Sequence, residues 1–241
     1  MRRLLLLFLT LAGALLLLAG EKKEAVPADG TAEVAEEGKY VALTFDDGPR
    51  PGTTERLLDG LKERGASATF FLIGEQLEGN RDLVARMAAE GHQLGNHTWS
   101  HRRLDAEAPE DAILEISRTE EALEEICGAG AYWLRPPYGE VGPGLEDRVC
   151  VPMVKWSVDP RDWESRNADK VTQAILEAVQ PNSIILLHDI YPSSVDAALR
   201  VVDTLQKEGY WFVTVEELLA LNGVSPEPGV MYRSGAGTSY F

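Results

Sequence analysis

The chain has 241 residues, a length that suits one sizeable domain better than two. Its 39 acidic residues outnumber the 23 basic ones and give a formal net charge of −16. Proteins that bind nucleic acid or anionic membrane surfaces need clustered Lys and Arg. The composition therefore argues against both of these partner classes.

The first 20 residues have the pattern of an export signal. Arg2 and Arg3 precede an uncharged apolar run over residues 4–20, which is the order of regions in a secretory signal. We therefore expect an exported protein that is either secreted or anchored by this segment. Cleavage of residues 1–20 as a signal peptide and their retention as a signal anchor both stay open, because 17 uncharged residues reach the lower limit of a membrane span.

Two segments are expected to lie outside the folded domain. Residues 21–38 mix Glu, Lys, Ala, Pro and Gly without an apolar period, and this predicts a disordered linker. Residues 223–241 are rich in Gly, Ser and Pro, and they predict an irregular C-terminal tail. The folded domain is therefore expected over residues 39–222.

The chain contains two cysteines, Cys127 and Cys150. In the oxidising compartment that an export signal implies, two cysteines can pair as a disulfide. The alternative is two separate buried thiols, and the sequence leaves both arrangements open.

Within the folded domain, strand patterns alternate with helix patterns. Short runs rich in β-branched and aromatic residues predict strands, and apolar residues at helical spacing predict helices. The predicted strands are residues 40–45, 68–73, 92–96, 132–134, 153–156, 184–187 and 211–213. The predicted helices are residues 53–64, 80–90 with Asn80 as its cap, a longer one that begins at Pro109, 168–179, 194–207 and 215–221. Repeated strand-helix units predict an α/β fold with a parallel sheet, either open or closed into a barrel.

Asp46 and Asp47 stand at the end of the first predicted strand, where Gly48 and Pro49 stop it. The carboxyl ends of strands are where α/β proteins carry their chemistry. Adjacent like charges repel, which tends to raise the pKa of one carboxyl unless a cation lies beside the pair. The alternative is an Asx turn in which both carboxylates are solvated.

Three histidines follow or end predicted strands, namely His97, His101 and His188. A spacing of four in a helical turn puts the first two imidazoles on one face, where they can share a metal ion. Two neutral imidazoles and one carboxylate leave positions open for water and substrate. Asp47 is therefore expected as the carboxylate ligand, and Asp46 as the base that takes a proton from the attacking water.

Two further segments, residues 135–139 and 159–163, also follow predicted strands. In the first, two prolines hold the backbone rigid, so that a main-chain N–H can point into a site. The alternative there is a stiff loop with a surface arginine. The second places an acid beside a tryptophan, which either stacks on a sugar or belongs to the core.

Together these segments resemble the five motifs of the polysaccharide deacetylase family, which is carbohydrate esterase family 4 with a NodB-homology catalytic domain. The five segments are residues 44–49, 97–101, 135–139, 159–163 and 187–189. The resemblance implies a distorted (β/α) barrel with fewer than eight strands. It also implies a metal-dependent hydrolase that removes N-acetyl groups from N-acetylglucosamine-containing polymers and releases acetate, with peptidoglycan as the first substrate and chitin oligosaccharides as the second.

The same resemblance implies a role for each matched residue. Asp47, His97 and His101 would bind a divalent metal, typically zinc, with cobalt or nickel as alternatives. Asp46 would be the general base and His188 the general acid.

Five supporting residues are implied in the same way, and they are Arg135, Tyr138, Asp162, Trp163 and Leu187. The first would hold the base in place, and the backbone N–H of the second would join the metal in stabilising the oxyanion. The third would tune the general acid, and the last two would line a pocket for the acetyl methyl group.

Two other functions stay open at this point. An O-acetyl esterase acting on xylan-type polysaccharide would share the same residues. A non-catalytic wall-binding protein would have lost a base, an acid or a ligand, and none is missing here. An acetylated polysaccharide is the expected partner, and the protein is expected to be a monomer.

Overall fold

The computed structural model describes residues 38–237. The predicted leader at residues 1–20, the predicted linker except for residue 38, and the last residues, 238–241, lie outside the described part of the chain. Among the described residues, every helix is too short or too polar to cross a lipid bilayer.

Seven strands and seven α-helices are described, together with four short 3₁₀ helices. The strands are β1 Lys39–Asp46, β2 Thr69–Leu72, β3 Gln93–Asn96, β4 Met153–Val154, β5 Ile184–His188, β6 Tyr210–Phe212 and β7 Met231–Tyr232. The α-helices are α1 Thr53–Glu63, α2 Arg81–Ala89, α3 Pro109–Cys127, α4 Asp162–Ser165, α5 Ala168–Ala178, α6 Pro192–Lys207 and α7 Val215–Leu221. The 3₁₀ helices are Gly74–Gln76, Glu78–Asn80, Pro137–Gly139 and Glu146–Arg148.

Strand β1 lies at the centre of a parallel sheet. The strand order is β3-β2-β1-β5, and residues 39–41 of β1 pair with β6. In this register Asp46 lies opposite Phe71 on β2 and opposite His188 on β5. The first aspartate and the last histidine therefore end neighbouring strands at one edge of the sheet.

Isolated backbone bridges close this sheet into a ring. Leu134 bridges Asn96 of β3 and Met153 of β4, and Val158 bridges Ile185 of β5. The fold is a distorted (β/α) barrel with fewer than the eight regular strands of a full barrel, as predicted.

The barrel strands are buried on both faces, which fixes their ends in space. Residues 41–46 of β1 are all buried, as expected for a parallel strand covered by helices. In the main core the Phe45 and Phe70 rings stack with centroids 5.3 Å apart, and Leu58 of α1 and Val201 of α6 belong to the same cluster. Burying each such side chain contributes about 1.5–3 kcal/mol, so the strand ends stand on a well-packed base.

Two strand predictions and the tail prediction are corrected by the structure. The predicted strand at 132–134 is reduced to isolated bridges at Leu134, because Pro136 and Pro137 lack the N–H groups that would continue the ladder. The predicted strand at 153–156 is reduced to β4. The tail is not wholly irregular, since β7 pairs in parallel with β4 and buries its two apolar side chains.

Smaller corrections concern a helix cap and the cysteines. Asn80 occupies the residue before α2, but its side chain donates to the Gln76 carbonyl at 2.7 Å instead of capping the helix. Both cysteines are free thiols, so the disulfide alternative is wrong, and Cys150 is exposed while Cys127 is only partly buried.

Candidate active site

The adjacent carboxylates at the end of β1 face the same histidine. Asp46 is 3% exposed, and its Oδ2 lies 3.6 Å from Nε2 of His97. Asp47 has a left-handed backbone with φ of 70°, a conformation that Asp adopts more readily than most residues. Its Oδ1 lies 3.6 Å from the same nitrogen and 3.3 Å from Nε2 of His101. The turn after β1 thus directs both carboxylates to one point instead of leaving them solvated.

The two histidines meet through a loop, so the prediction of a helical turn is wrong. Thr98 and His101 both have positive φ, at 66° and 58°, and the Asn96 side chain accepts a hydrogen bond from the Thr98 N–H at 2.8 Å. The imidazole rings of His97 and His101 still come together, with centroids 4.9 Å apart. Left-handed residues in the loop therefore achieve what one turn of helix was predicted to do.

Asp47, His97 and His101 form what we call the cation side of the site, and their donor atoms fit one metal ion. One ligand atom of each lies within 4.8 Å of the others, and Oδ1 of Asp47 is buried without a hydrogen-bond partner among the described residues. Nδ1 of His97 lies 2.6 Å from the Arg135 carbonyl, which can only accept, so the lone pair is left on Nε2. Burial and the neighbouring His97 lower the pKa of His101, which favours the neutral form that binds metals.

Arg135 is completely buried, so the alternative of a surface arginine is wrong. Its Nη1 donates to Oδ1 of Asp46 and to the Thr44 hydroxyl, each at 2.7 Å, and its Nη2 donates to the Lys155 carbonyl at 2.9 Å. The guanidinium also stacks 4.1 Å from the centroid of Phe71. Burial lowers the pKa of Arg135 while Asp46 raises it, and a guanidinium keeps its charge in such a setting. Asp46 is thereby held on one oxygen.

His188, Asp162 and Ser194 form what we call the acid side of the site. Asp162 is fully buried, and it accepts from Nδ1 and the backbone N–H of His188, both at 2.8 Å, and from the Ser194 hydroxyl at 2.6 Å. Burial alone would lower the pKa of His188, but the hydrogen bond and charge of Asp162 outweigh it and raise the pKa to about 9. This shift favours the protonated imidazole.

A cavity of about 400 Å³ joins the two sides. Its lining residues are Asp46, Asp47, His97, His101, Tyr138, Trp156, Asp159, Trp163, Leu186 and His188. Tyr138 and Trp163 are 56% and 43% exposed, so both rings stand at the cavity rim. Tyr138 has φ of 60°, and its ring lies edge-on to His101 at 5.1 Å.

One predicted pocket residue is wrong by a single position. Leu187 is fully buried in the main core, and Leu186 lines the cavity instead. Side chains alternate across a strand, so the residue two positions before His188 shares its face and the residue one position before does not. This alternation is a signal in the sequence that would have found Leu186.

Trp156 and Ser194 are site residues that the sequence reasoning did not single out. Trp156 was predicted only as part of a strand, and Ser194 only as the start of a helix, and strand alternation or helix position alone points to neither. Their partners lie far away in the chain, since Ser194 bonds an aspartate 32 residues earlier.

Asp189 lies behind the site and connects the ends of β1 and β5. It is fully buried, and one of its oxygens accepts a hydrogen bond from the Thr54 hydroxyl, which itself accepts from the Arg50 N–H at 2.8 Å. Burial raises the pKa of Asp189 to about 7, against the hydrogen bond from Thr54. A methyl group on Gly48 would lie 2.5 Å from Oδ1 of Asp189, so the turn that carries Asp47 packs directly on this carboxyl group.

Comparison with known proteins identifies the family. The family model described as polysaccharide deacetylase matches residues 33–149. The chitooligosaccharide deacetylase of Azorhizobium caulinodans is 36% identical over 197 residues, which cover 74% of this chain and 94% of that protein. The chain belongs to the polysaccharide deacetylase family. The resemblance inferred from the five motifs is confirmed.

Other relatives of this chain differ in length and in named substrate. The peptidoglycan-N-acetylmuramic acid deacetylase PdaC of Bacillus subtilis is 38% identical over 180 residues, 75% of this chain but 38% of PdaC, so the match spans about two fifths of that relative. A solved family 4 acetyl xylan esterase from Clostridium thermocellum, in complex with a cobalt ion, superposes with a TM-score of 0.77 at 34% identity, covering 81% of this chain and 98% of the esterase.

Proposed function

We propose that this protein is an exported, metal-dependent polysaccharide deacetylase. It hydrolyses the N-acetyl groups of N-acetylglucosamine-containing polymers and releases acetate, with peptidoglycan as the first substrate and chitin oligosaccharides as the second. The observation that carries the proposal is the convergence of the cation side, a buried carboxylate and the acid side around one cavity. Export rests on the N-terminal sequence, and the protein works as a monomer that is secreted or anchored by that segment.

Asp47, His97 and His101 would hold the metal. Two imidazoles and one carboxylate suit zinc, with cobalt or nickel as alternatives. A divalent cation held by these residues would supply polarisation of the acetamide carbonyl and would bring the pKa of water toward about 7. The Nδ1 hydrogen bond of His97 orients its ring toward that position.

Asp46 is the general base of the proposed reaction. Arg135 engages its Oδ1, which leaves Oδ2 on the side of His97 to accept a proton from the attacking water. Because Arg135 has fixed the carboxylate beforehand, little reorganisation is needed when the proton moves.

His188 is the general acid. An amine is a poor leaving group until it is protonated, and the His188 proton at Nε2 is free to transfer because Nδ1 is engaged by Asp162. The backbone N–H of Tyr138 is the proposed oxyanion donor, a contribution commonly worth about 3–4 kcal/mol. Trp163 and Leu186 are the proposed walls for the acetyl methyl group.

Acetate release tests the proposal directly. The purified chain, loaded with zinc or cobalt, is expected to release acetate from N-acetylglucosamine oligomers and from peptidoglycan, and the matched Asp46→Asn variant is expected to release almost none. A folded, metal-loaded chain that releases no acetate would overturn the proposal. Binding of the glycan without turnover would instead indicate a wall-binding protein.

An O-acetyl esterase acting on xylan is the second candidate, favoured by the superposition on an acetyl xylan esterase. Both reactions would use the same base, acid and cation side. Acetate release from acetylated xylan and from N-acetylglucosamine oligomers, compared as kcat/KM with one enzyme preparation, separates the two functions.

A further inference from the structure

Arg166 is an exposed arginine that makes no ion pair with any residue in the described part of the chain. Two other exposed arginines are paired, Arg161 with Glu164 at 2.6 Å and Arg103 with Asp105 at 2.8 Å. In a chain with a net charge of −16, a nearby carboxylate is the expected partner of an arginine. The charge of Arg166 is left available to a group outside the protein.

The Arg166 guanidinium is nevertheless held in place. Its Nε donates to the Trp163 carbonyl at 3.2 Å, its Nη2 donates to the Tyr191 hydroxyl at 3.5 Å, and its carbon lies 4.5 Å from the centroid of the Tyr191 ring. Stacking and hydrogen bonds of this kind fix the planar group and leave an edge free to bind an anion. Arg166 is thus ordered without being neutralised.

The held guanidinium lies next to the acid side of the cavity. The Tyr191 ring is 6.3 Å from the imidazole of His188, and Trp163, whose carbonyl binds Arg166, lines the cavity. Arg166 is therefore placed near the cavity rim, where it could bind an acidic group on a glycan that enters the cavity.

We propose that Arg166, supported by Tyr191, forms a subsite for a carboxylate on the glycan next to the sugar that is deacetylated. The inference rests on the proposed deacetylase function and assigns that function a preference for acidic glycans. The carboxylate belongs either to an acidic substituent on the neighbouring sugar, such as the lactyl group of muramic acid, or to a peptide attached to that sugar. A planar guanidinium recognises either one in the same way.

Steady-state acetate release from three glycans tests the subsite. The substrates are a neutral N-acetylglucosamine oligomer, an oligomer that alternates N-acetylglucosamine with N-acetylmuramic acid bearing a free carboxylate, and the latter oligomer with its peptides attached. Arg166→Gln is expected to lower kcat/KM about tenfold on a carboxylate-bearing oligomer, mainly through KM, because a charge-assisted hydrogen bond is lost. On the neutral oligomer the change is expected to stay within about twofold.

Arg118→Gln is the matched control. Arg118 is also exposed and stacked on an aromatic ring, 3.7 Å from the centroid of Trp99, but neither residue lines the cavity. This control is expected to leave all three kcat/KM values unchanged.

Each outcome has a defined meaning. If Arg166→Gln lowers kcat/KM on the free-carboxylate oligomer, the subsite recognises the sugar substituent. If it lowers kcat/KM only on the peptide-bearing oligomer, the subsite recognises the peptide. An equal loss on all three glycans, or no loss on any of them, overturns the subsite. Wild-type protein that releases acetate from none of the glycans overturns the proposed function instead.

Discussion

On the cation side of the cavity, Oδ1 of Asp47 is buried and has no hydrogen-bond partner among the described residues, whereas on the acid side Asp162 accepts three hydrogen bonds. A buried, unpaired carboxylate oxygen is costly, and a cation bound beside it would remove that cost. On the acid side, hydrogen bonds from protein groups alone satisfy the carboxylate of Asp162. Under the proposed function, one half of the site depends on a bound ion, and the other half on neighbours within the chain.

The largest effect is expected from removing a ligand on the cation side. His101→Ala should abolish zinc binding and reduce acetate release to background, because two remaining ligands hold zinc poorly. Metal analysis of the purified variant, together with an activity assay after chelation and zinc addition, checks this. Retention of zinc and turnover by this variant would show that His101 is not a metal ligand.

The next effect concerns Asp46, the proposed general base, which lies between the two sides. Asp46→Asn should lower kcat by about 10²–10⁴-fold while zinc content stays at the wild-type level, because proton transfer is lost and the ligands are kept. The measurement is kcat beside zinc stoichiometry on the same sample. Near-normal kcat would show that another group accepts the proton.

A smaller, pH-dependent effect is expected on the acid side. As the proposed general acid, His188 must be protonated to act, so activity should fall as the pH rises through its pKa, which is about 9 with Asp162 present and lower once a cation is bound nearby. Asp162→Asn removes the charge and an acceptor, so the basic limb of the kcat profile should move to lower pH while metal content is unchanged.

The same pKa shift predicts how stability depends on pH. Because the folded pKa of His188 is raised, its contribution to stability is present in full below the ordinary pKa of about 6.5 and is lost as the pH rises toward 9. The difference in unfolding free energy between wild type and Asp162→Asn should therefore shrink over this range. A difference that does not vary with pH would contradict the coupling.

The smallest effect is expected from Ser194→Ala. The Ser194 hydroxyl supplies one of three hydrogen bonds to Asp162, and its loss should cost about 0.5–1.5 kcal/mol in unfolding free energy and a few-fold in kcat. Urea unfolding and kcat on one substrate check this. If Ser194→Ala lowered kcat as much as Asp162→Asn does, the two hydrogen bonds from His188 would not be enough to hold Asp162 in place.

The sequence predicts which strand ends carry the chemistry, because each motif directly follows a recognisable apolar run. It cannot reveal how Thr98 and His101 bring two imidazoles together, since left-handed backbone in non-glycine residues has no strong local signature. Nor does it reveal β7, a two-residue strand whose partner lies 78 positions earlier, at Met153 opposite Met231. Long-range pairing of such short segments depends on the finished barrel more than on local preference.

The incorrect prediction of Leu187, instead of Leu186, as a pocket residue comes from the difference between a sequence motif and a strand face. A motif match gives the position of a segment along the chain, but the alternation of the strand decides which of its side chains face the cavity. The motif match predicts Leu187, whereas the strand places the neighbouring Leu186 on the cavity face. Where a predicted site residue lies inside a strand, its parity relative to a known site residue is the better guide.

The contact between Gly48 and Asp189 packs the turn that carries Asp47 against the residue that follows His188. Because Gly48 has no side chain, the turn after β1 packs directly against the Asp189 carboxyl group. A methyl group at position 48 would lie only 2.5 Å from Oδ1 of Asp189. If the proposed roles hold, a side chain at position 48 would move the turn that carries Asp46 and Asp47 away from the strand end that carries His188, and so separate the proposed base from the proposed acid.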